Sequence, residues 1–223
     1  MSFAPKAGRS AARENVWRYR GHVVSEHEHH ARYLAARPHS REEVLAKPNP
    51  VPAEPGVYGW WFKLLPADIE TSKCVHRDDG LVLLYAGISP SKPSAAGVAS
   101  RQNIRRRIKT HYTSNASRST LRKSLGCLLA DELGLELRRV GLSERFMFGS
   151  GEATLSEWMA HNALVSWITH PRPWLLEDEL IECLDLPLNI EGADNPFTAT
   201  LKSVRRSAVA RAQELPVLPP VDG

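Results

Sequence analysis

Two tyrosines, each set beside a glycine in a short apolar run, constrain this chain most. The runs are Gly56-Val57-Tyr58-Gly59-Trp60-Trp61-Phe62 and Leu81-Val82-Leu83-Leu84-Tyr85-Ala86-Gly87-Ile88, separated by polar, turn-rich sequence from Pro66 to Gly80. Runs of this length, rich in β-branched and aromatic residues, read as strands, so an antiparallel hairpin with a long loop is expected. Pairing the strands brings both phenols onto one small surface, and the glycines leave room for a ligand near the backbone.

At 223 residues the chain can bury the core of one compact domain with extensions. Its 42% hydrophobic and 24% charged content is that of an ordinary globular protein. No apolar run reaches membrane-spanning length and the N-terminus lacks a signal-peptide core, so a cytoplasmic protein with no membrane partner is expected. Cys74, Cys127 and Cys183 are isolated, which suits reduced thiols and offers no zinc spacing. A net charge of +4 and a pI near 9.1 are compatible with a polyanionic partner.

Met1 to Asn15 reads as a polar tail. The cluster His27, Glu28, His29, His30 has metal-ligating residue types, but a solvated helical face is the simpler account. Ser40 and Glu43 form a capping-box pattern, and Pro48 to Pro52 breaks any helix before the first strand. From Arg101 to Tyr112 the helical period puts Ile104, Arg107, Ile108 and His111 on one face, with Arg105, Arg106 and Lys109 on the other. A guanidinium at an apolar seam needs an anionic partner, which singles out Arg107 from its neighbours. A helix from about Thr120 to Leu133 carries the stripe Leu121, Leu125, Leu128 and Leu129, with Cys127 as buried filler. Short strands are expected at Leu135–Val140 and Arg145–Phe148, and a helix opening on a Thr154/Glu157 capping box and running to about Asn162. Leu164–Thr169 reads as a buried strand.

Helical projection of Trp174 to Leu184 places Glu177 with Leu180, Ile181 and Leu184, and Asp178, Glu179 and Glu182 on the far side. A carboxylate on an apolar face calls for a salt bridge, a metal or a catalytic role. Asp194-Asn195-Pro196 opens a last helix with Phe197, Leu201, Val204 and Ala208 inward and Lys202, Arg205 and Arg206 outward. Pro216 to Gly223 reads as a disordered tail.

Taken in order, Tyr58, Tyr85, Arg107 with His111 one turn later, Glu177, and Asn189 after Pro187 resemble the pattern of the GIY-YIG nuclease family. Val57 and Ala86 stand where its name has isoleucines, and Ile88-Ser89 where some relatives have a lysine; Lys92 is the nearest substitute. The resemblance covers about Pro55 to Asn189 and implies an α+β fold, a small three-stranded antiparallel sheet flanked by helices. A helical insertion at about 113–163 and N- and C-terminal helical extensions (1–50 and 191–223) surround the core, 51–190. It also implies a metal-dependent nuclease acting on DNA. Glu177 would hold Mg²⁺ or Mn²⁺, Arg107 would pair with phosphate, and Tyr58, Tyr85 or His111 would handle the attacking water. Asn189 would position loop and water, and the general base stays open among Tyr58, Tyr85 and His111. Arg105, Arg106 and Lys109 are expected to contact phosphates without reading sequence. The alternative is a catalytically silent module with the same fold, binding nucleic acid or protein.

Overall fold

Alternation of large apolar side chains along the first strand decides how everything else packs. The computed structural model describes residues 17–19, 22–24, 26–93, 100, 102–192 and 194–220, with side chains from Glu28 onward. A short hairpin, β1 (Trp17–Tyr19) and β2 (His22–Val24), comes first without a strand signal in the sequence, and helix α1 (Glu26–Ala35) follows, carrying the His27–His30 cluster that reads as a helical face. Helix α2 (Arg41–Leu45) carries the expected capping box, with Ser40 and Glu43 each accepting from the other's backbone N–H.

The main sheet has four antiparallel strands rather than three, in the order β4 (Val75–His76), β5 (Val82–Ser89), β3 (Gly56–Phe62), β8 (Ala163–Thr169). The extra strand β4 is two residues of the long loop folded back on β5, too short to leave a periodic trace. On one face of β3, Tyr58, Trp60 and Phe62 join the larger core, with α3 (Ile104–Thr113), α4 (Thr120–Leu128), α6 (Gly151–Asn162) and α8 (Phe197–Glu214). On the other, Val57 and Trp61 pack with Tyr33 of α1 and with Leu176 and Leu180 of α7 (Pro173–Cys183). Helices α3 and α7 therefore lie on opposite faces of the sheet.

A bulge in β5 sets the site. Trp61 pairs with Leu83 but Trp60 pairs with Tyr85, so Leu84 and Tyr85 together oppose one residue. Side chains alternate along a strand, and one extra residue reverses the alternation beyond it. Tyr85 and Gly87 thereby join the Tyr58 face; without the bulge they would share the face of Leu83. Gly87 is confined to its type, because a Cβ there would sit 2.7 Å from the Tyr58 hydroxyl. Gly59, on the opposite face, would bring one within 2.5 Å of the Tyr33 hydroxyl.

The predicted helix over 120–133 is two, α4 and α5 (Ala130–Leu133), broken at Leu129. The hairpin strands are shorter than expected, β6 (Arg138–Val140) and β7 (Arg145–Met147). Helix α6 starts at Gly151, so Thr154 and Glu157 lie inside it and form no cap. Helix α8 starts at Phe197 with Pro196 at its N-cap, one residue later than expected, and the Asn195 side chain accepts from the Phe197 N–H. The C-terminal segment is held as far as it is described: Leu218 exchanges backbone hydrogen bonds with Arg139 and Gly141. Met1 to Asn15 lies outside the described residues. No helix among the described residues is long and apolar enough to cross a membrane.

Candidate active site

Helix α3 brings two of its side chains to Tyr58. Ile104, Ile108, His111 and Tyr112 are buried, which makes them the centre of its inward face. Arg107 flanks that face on one side, half-buried; Arg105 flanks it on the other, where its Nε donates to the Val51 carbonyl at 2.6 Å. Arg105 is thus exposed but not unpaired, whereas Arg106 and Lys109 occupy the solvent pole.

The Tyr58 hydroxyl lies 2.9 Å from His111 Nε2, and Arg107 Nε donates to the same hydroxyl at 3.4 Å. Tyr85 lies beside them, its ring centroid 6.4 Å from that of His111. With Arg107 donating to its oxygen, Tyr58 has its proton free for His111, which makes Nε2 the acceptor and assigns the proton to Nδ1. Nδ1 faces Ser119 Oγ at 2.7 Å. That serine also caps α4 by accepting from the Arg122 N–H. Burial, then Arg107, then Arg122 hold the His111 pKa well below the usual imidazole value, so the ring is neutral. Burial pushes both phenols up, and Arg107 opposes the shift in each.

Behind His111 stands a fully buried cation. Arg122 meets the Glu152 carboxylate at 2.7 Å and donates through Nη1 to the His111 carbonyl at 3.3 Å. Glu152 in turn accepts from the backbone N–H groups of Ala116 and Phe148. Trp60 packs edge-on against the imidazole, with ring centroids 5.6 Å apart. Every polar edge of His111 is therefore occupied.

Asn189 works on the backbone. Its Oδ1 accepts from the Ala86 N–H and its Nδ2 donates to the Ala86 carbonyl, both at 2.9 Å. One residue earlier, the Leu188 N–H donates to the carbonyl of Leu84. Leu186 to Asn189 so closes the edge of β5 where β4 ends, and fixes the bulge that aims Tyr85.

Glu177 arrives from the other side of the sheet. Leu176 and Leu180 form the buried stripe of α7, and Glu177 and Glu179 flank it, both half-buried. Glu179 is accordingly not solvent-facing as the helical projection had it; Asp178 and Glu182 are. Glu177 shares an open cleft of about 890 Å³ with Tyr85, Thr120, Asn189, Glu191 and Arg205. It touches neither Arg107 nor His111; Tyr85 is the link between the cleft and the Tyr58 cluster. Burial, then Asp178 and Glu191, push its pKa up to about 7.

Among the described residues Glu177 has no hydrogen-bond or ion-pair partner, and no three His, Cys, Asp or Glu side chains gather into a metal cage. Glu177 shares its cleft with Asp178, Glu182, Glu191 and Asp194, and a carboxylate without an ion-pair partner is a donor that a hard divalent cation accepts, with water and phosphate oxygens filling the octahedron. The donor set fits such an ion. The histidine cluster near the N-terminus does not: His29 stacks edge-on against His170 at 4.7 Å, and the His27 side chain lies outside the described residues. Lys92 is exposed on its loop, without a contact to the cleft.

Sequence reasoning missed Ser119, the Arg122–Glu152 pair and Arg205. Ser119 carried a signal, a hydroxyl residue directly before a helix. Arg205, expected on the outward face of its helix, is half-buried, lines the cleft and donates to Ser124 Oγ at 3.4 Å.

No curated protein and no solved structure matches the chain. Residues 56–207, more than half of the chain, match the family model of the GIY-YIG catalytic domain, whose function is of the nuclease type. The match begins at the first glycine of β3 and runs past Asn189 into α8, the helix that brings Arg205 to the cleft. On that match, the chain belongs to the GIY-YIG catalytic domain family.

Proposed function

We propose that the chain is a metal-dependent nuclease that hydrolyses phosphodiester bonds in DNA. The observation that carries this reading is a sealed tyrosine–histidine–arginine cluster that opens, through Tyr85, onto a cleft containing an unbalanced carboxylate. Glu177 would hold Mg²⁺ or Mn²⁺, and such an ion supplies charge neutralisation at the phosphate and acidifies a bound water. Everything else falls to the side chains.

Arg107 commits one N–H to Tyr58 and one to the Arg118 carbonyl, leaving donors for phosphate oxygens. Tyr85 is the half-exposed phenol at the cleft and Tyr58 the buried one behind it, so Tyr85 would orient the attacking water and Tyr58 would orient Tyr85. His111 serves as a fixed neutral acceptor for Tyr58. It is a poor resting place for a proton, because burial and two arginines oppose the imidazolium. Asn189 acts through the backbone as a positioning residue, and Arg205 is the cation of the cleft available to a non-bridging oxygen.

A plasmid-nicking assay with Mg²⁺ or Mn²⁺ tests this, run on the native chain and on Glu177→Gln. Metal-dependent nicking by the first and none by the second is expected, with both variants folded. Failure of the native chain to cut DNA with any divalent ion, while still binding it, would replace the enzyme by a DNA-binding module of the same fold.

A further inference from the structure

The segment between α4 and α6 builds a second feature beside the cleft. Its hairpin β6–β7 is bolted down at the base. Arg139 donates through Nη2 to the carbonyls of Gln213 and Leu215 and through Nε to that of Ala212, and Arg138 donates to that of Pro216. Leu218 adds a backbone bridge beside Val140. The tip, by contrast, projects: Leu142 is 104% exposed, the most exposed large apolar side chain among the described residues. A single surface leucine is unremarkable in general, but one at the tip of a tethered hairpin has no core to serve.

Beside the tip runs a groove of about 700 Å³, lined among others by Thr113, Ser114, Asn115, Arg118, Leu142 and Arg145. Its charge is one-sided. Arg118 and Arg145 are exposed, and neither side chain has an ion-pair partner among the described residues. The acids at hand are neutralised, Glu144 by Arg139 and Glu152 by Arg122. Arg106, Lys109 and Thr113 stand one turn apart along the solvent pole of α3 and lead into the groove, since residues three and four apart share a helix face. The groove also starts at the active site, because Arg107 Nη1 donates to the Arg118 carbonyl at 3.1 Å.

We propose that this groove seats the DNA duplex beyond the scissile phosphate, with Arg118 and Arg145 on the backbone and Leu142 inserted as an apolar wedge against the base stack. The proposal rests on the nuclease reading and adds to it a substrate arm. Hydroxyl, amide and arginine side chains are the groups that hold phosphates, and an apolar side chain pushed between base steps unstacks and bends the duplex. Such an enzyme would favour DNA that is already bent, mismatched or branched, where unstacking costs least.

The test uses the full chain carrying Glu177→Gln, so that bound DNA stays intact, and a duplex containing 2-aminopurine, which brightens when unstacked. Binding should raise the fluorescence. Leu142→Ser should remove that rise and weaken binding about tenfold, the loss expected for one large apolar contact. Arg118→Ala and Arg145→Ala should each reduce the salt slope of binding by about 1. Leu142 is fully exposed, so its replacement leaves folding unaffected. Wild-type affinity and fluorescence in Leu142→Ser would overturn the arm. Plasmid nicking by the native chain, measured in parallel, keeps the two readings apart: nicking without these effects sinks the arm alone, and no nicking with no DNA binding sinks both.

Discussion

The two helices that serve the site differ in how much of their chemistry is settled within the protein. On the α3 side, Tyr58, His111, Ser119, Arg122 and Glu152 form a closed chain in which each polar group has a partner and almost nothing reaches solvent. On the α7 side, Glu177 is half-buried with a raised pKa and no partner among the described residues. The two sides thus differ in how their charges are met: one pairs its polar groups within the fold, and the other carries a half-buried carboxylate without an ion-pair partner among the described residues. Substitutions on the two sides should accordingly fail in different ways.

The largest contrast is expected at Glu177. On the proposed nuclease reading, Glu177→Gln should cut metal-dependent nicking by at least about 10³-fold, since a divalent ion held there would supply several kcal/mol of transition-state stabilisation. Its thermal stability should hold or rise. A carboxylate with a raised folded pKa contributes stability that is complete below its unfolded value and is lost as pH climbs through about 7. The amide escapes that loss, so the gain should be visible in melts at pH 8 and absent at pH 4. A lower melting temperature at pH 8 would mean that Glu177 has a structural partner.

Arg122→Met should do the reverse. It strands the Glu152 carboxylate, at a cost of about 3–5 kcal/mol, and it removes the donor on the His111 carbonyl. Chemical denaturation should show that loss, while any residual folded protein keeps its metal requirement. An unaltered midpoint would break the contrast between the two sides.

Tyr58→Phe sits between the extremes. It leaves buried His111 Nε2 without a partner, costing about 1–3 kcal/mol, and it frees Arg107 Nε from that oxygen. Both melting temperature and nicking should fall, and a change in only one of them would place Tyr58 wholly on one side. A smaller effect is expected in acid. His29, His111 and His170 have lowered pKa values, chiefly through burial, and His170 lies at about 4. The unfolded chain takes up protons below the ordinary histidine value of 6.5 while the folded chain does not. Stability should therefore decline between pH 6.5 and about 4, and a flat profile there would show that these rings protonate in place.

What the sequence disclosed follows the same division. Arg107 and His111 were legible because a helix repeats on a fixed period, so one projection separates Arg107 from Arg106 and Lys109. Glu177 emerged in the same way, although the projection misjudged Glu179, since it cannot know that the buried stripe is centred on Leu176 and Leu180. Pairing across the chain was opaque. Nothing local in Leu84-Tyr85 announces a bulge, because it exists only against Trp60 on the neighbouring strand. The Arg122–Glu152 pair joins positions thirty residues apart, and Arg205 reaches the cleft only because α8 folds back across α4.

The bulge in β5 makes the active site sensitive to counting as well as to chemistry. Inserting one residue after Leu84 that the bulge did not absorb would keep every proposed site residue and every motif letter in order, yet turn Tyr85 and Gly87 toward the α7 core. Deleting Leu84 would only straighten the strand and leave Tyr85 opposite Trp60. Conversely, the long connection between Tyr112 and Ala163 can grow or shrink without altering the parity of any strand in the main sheet. Variation in length should therefore be frequent in that connection, and insertions should be rare between Leu83 and Gly87, so β5 records ancestry by its number of residues even where their identities drift.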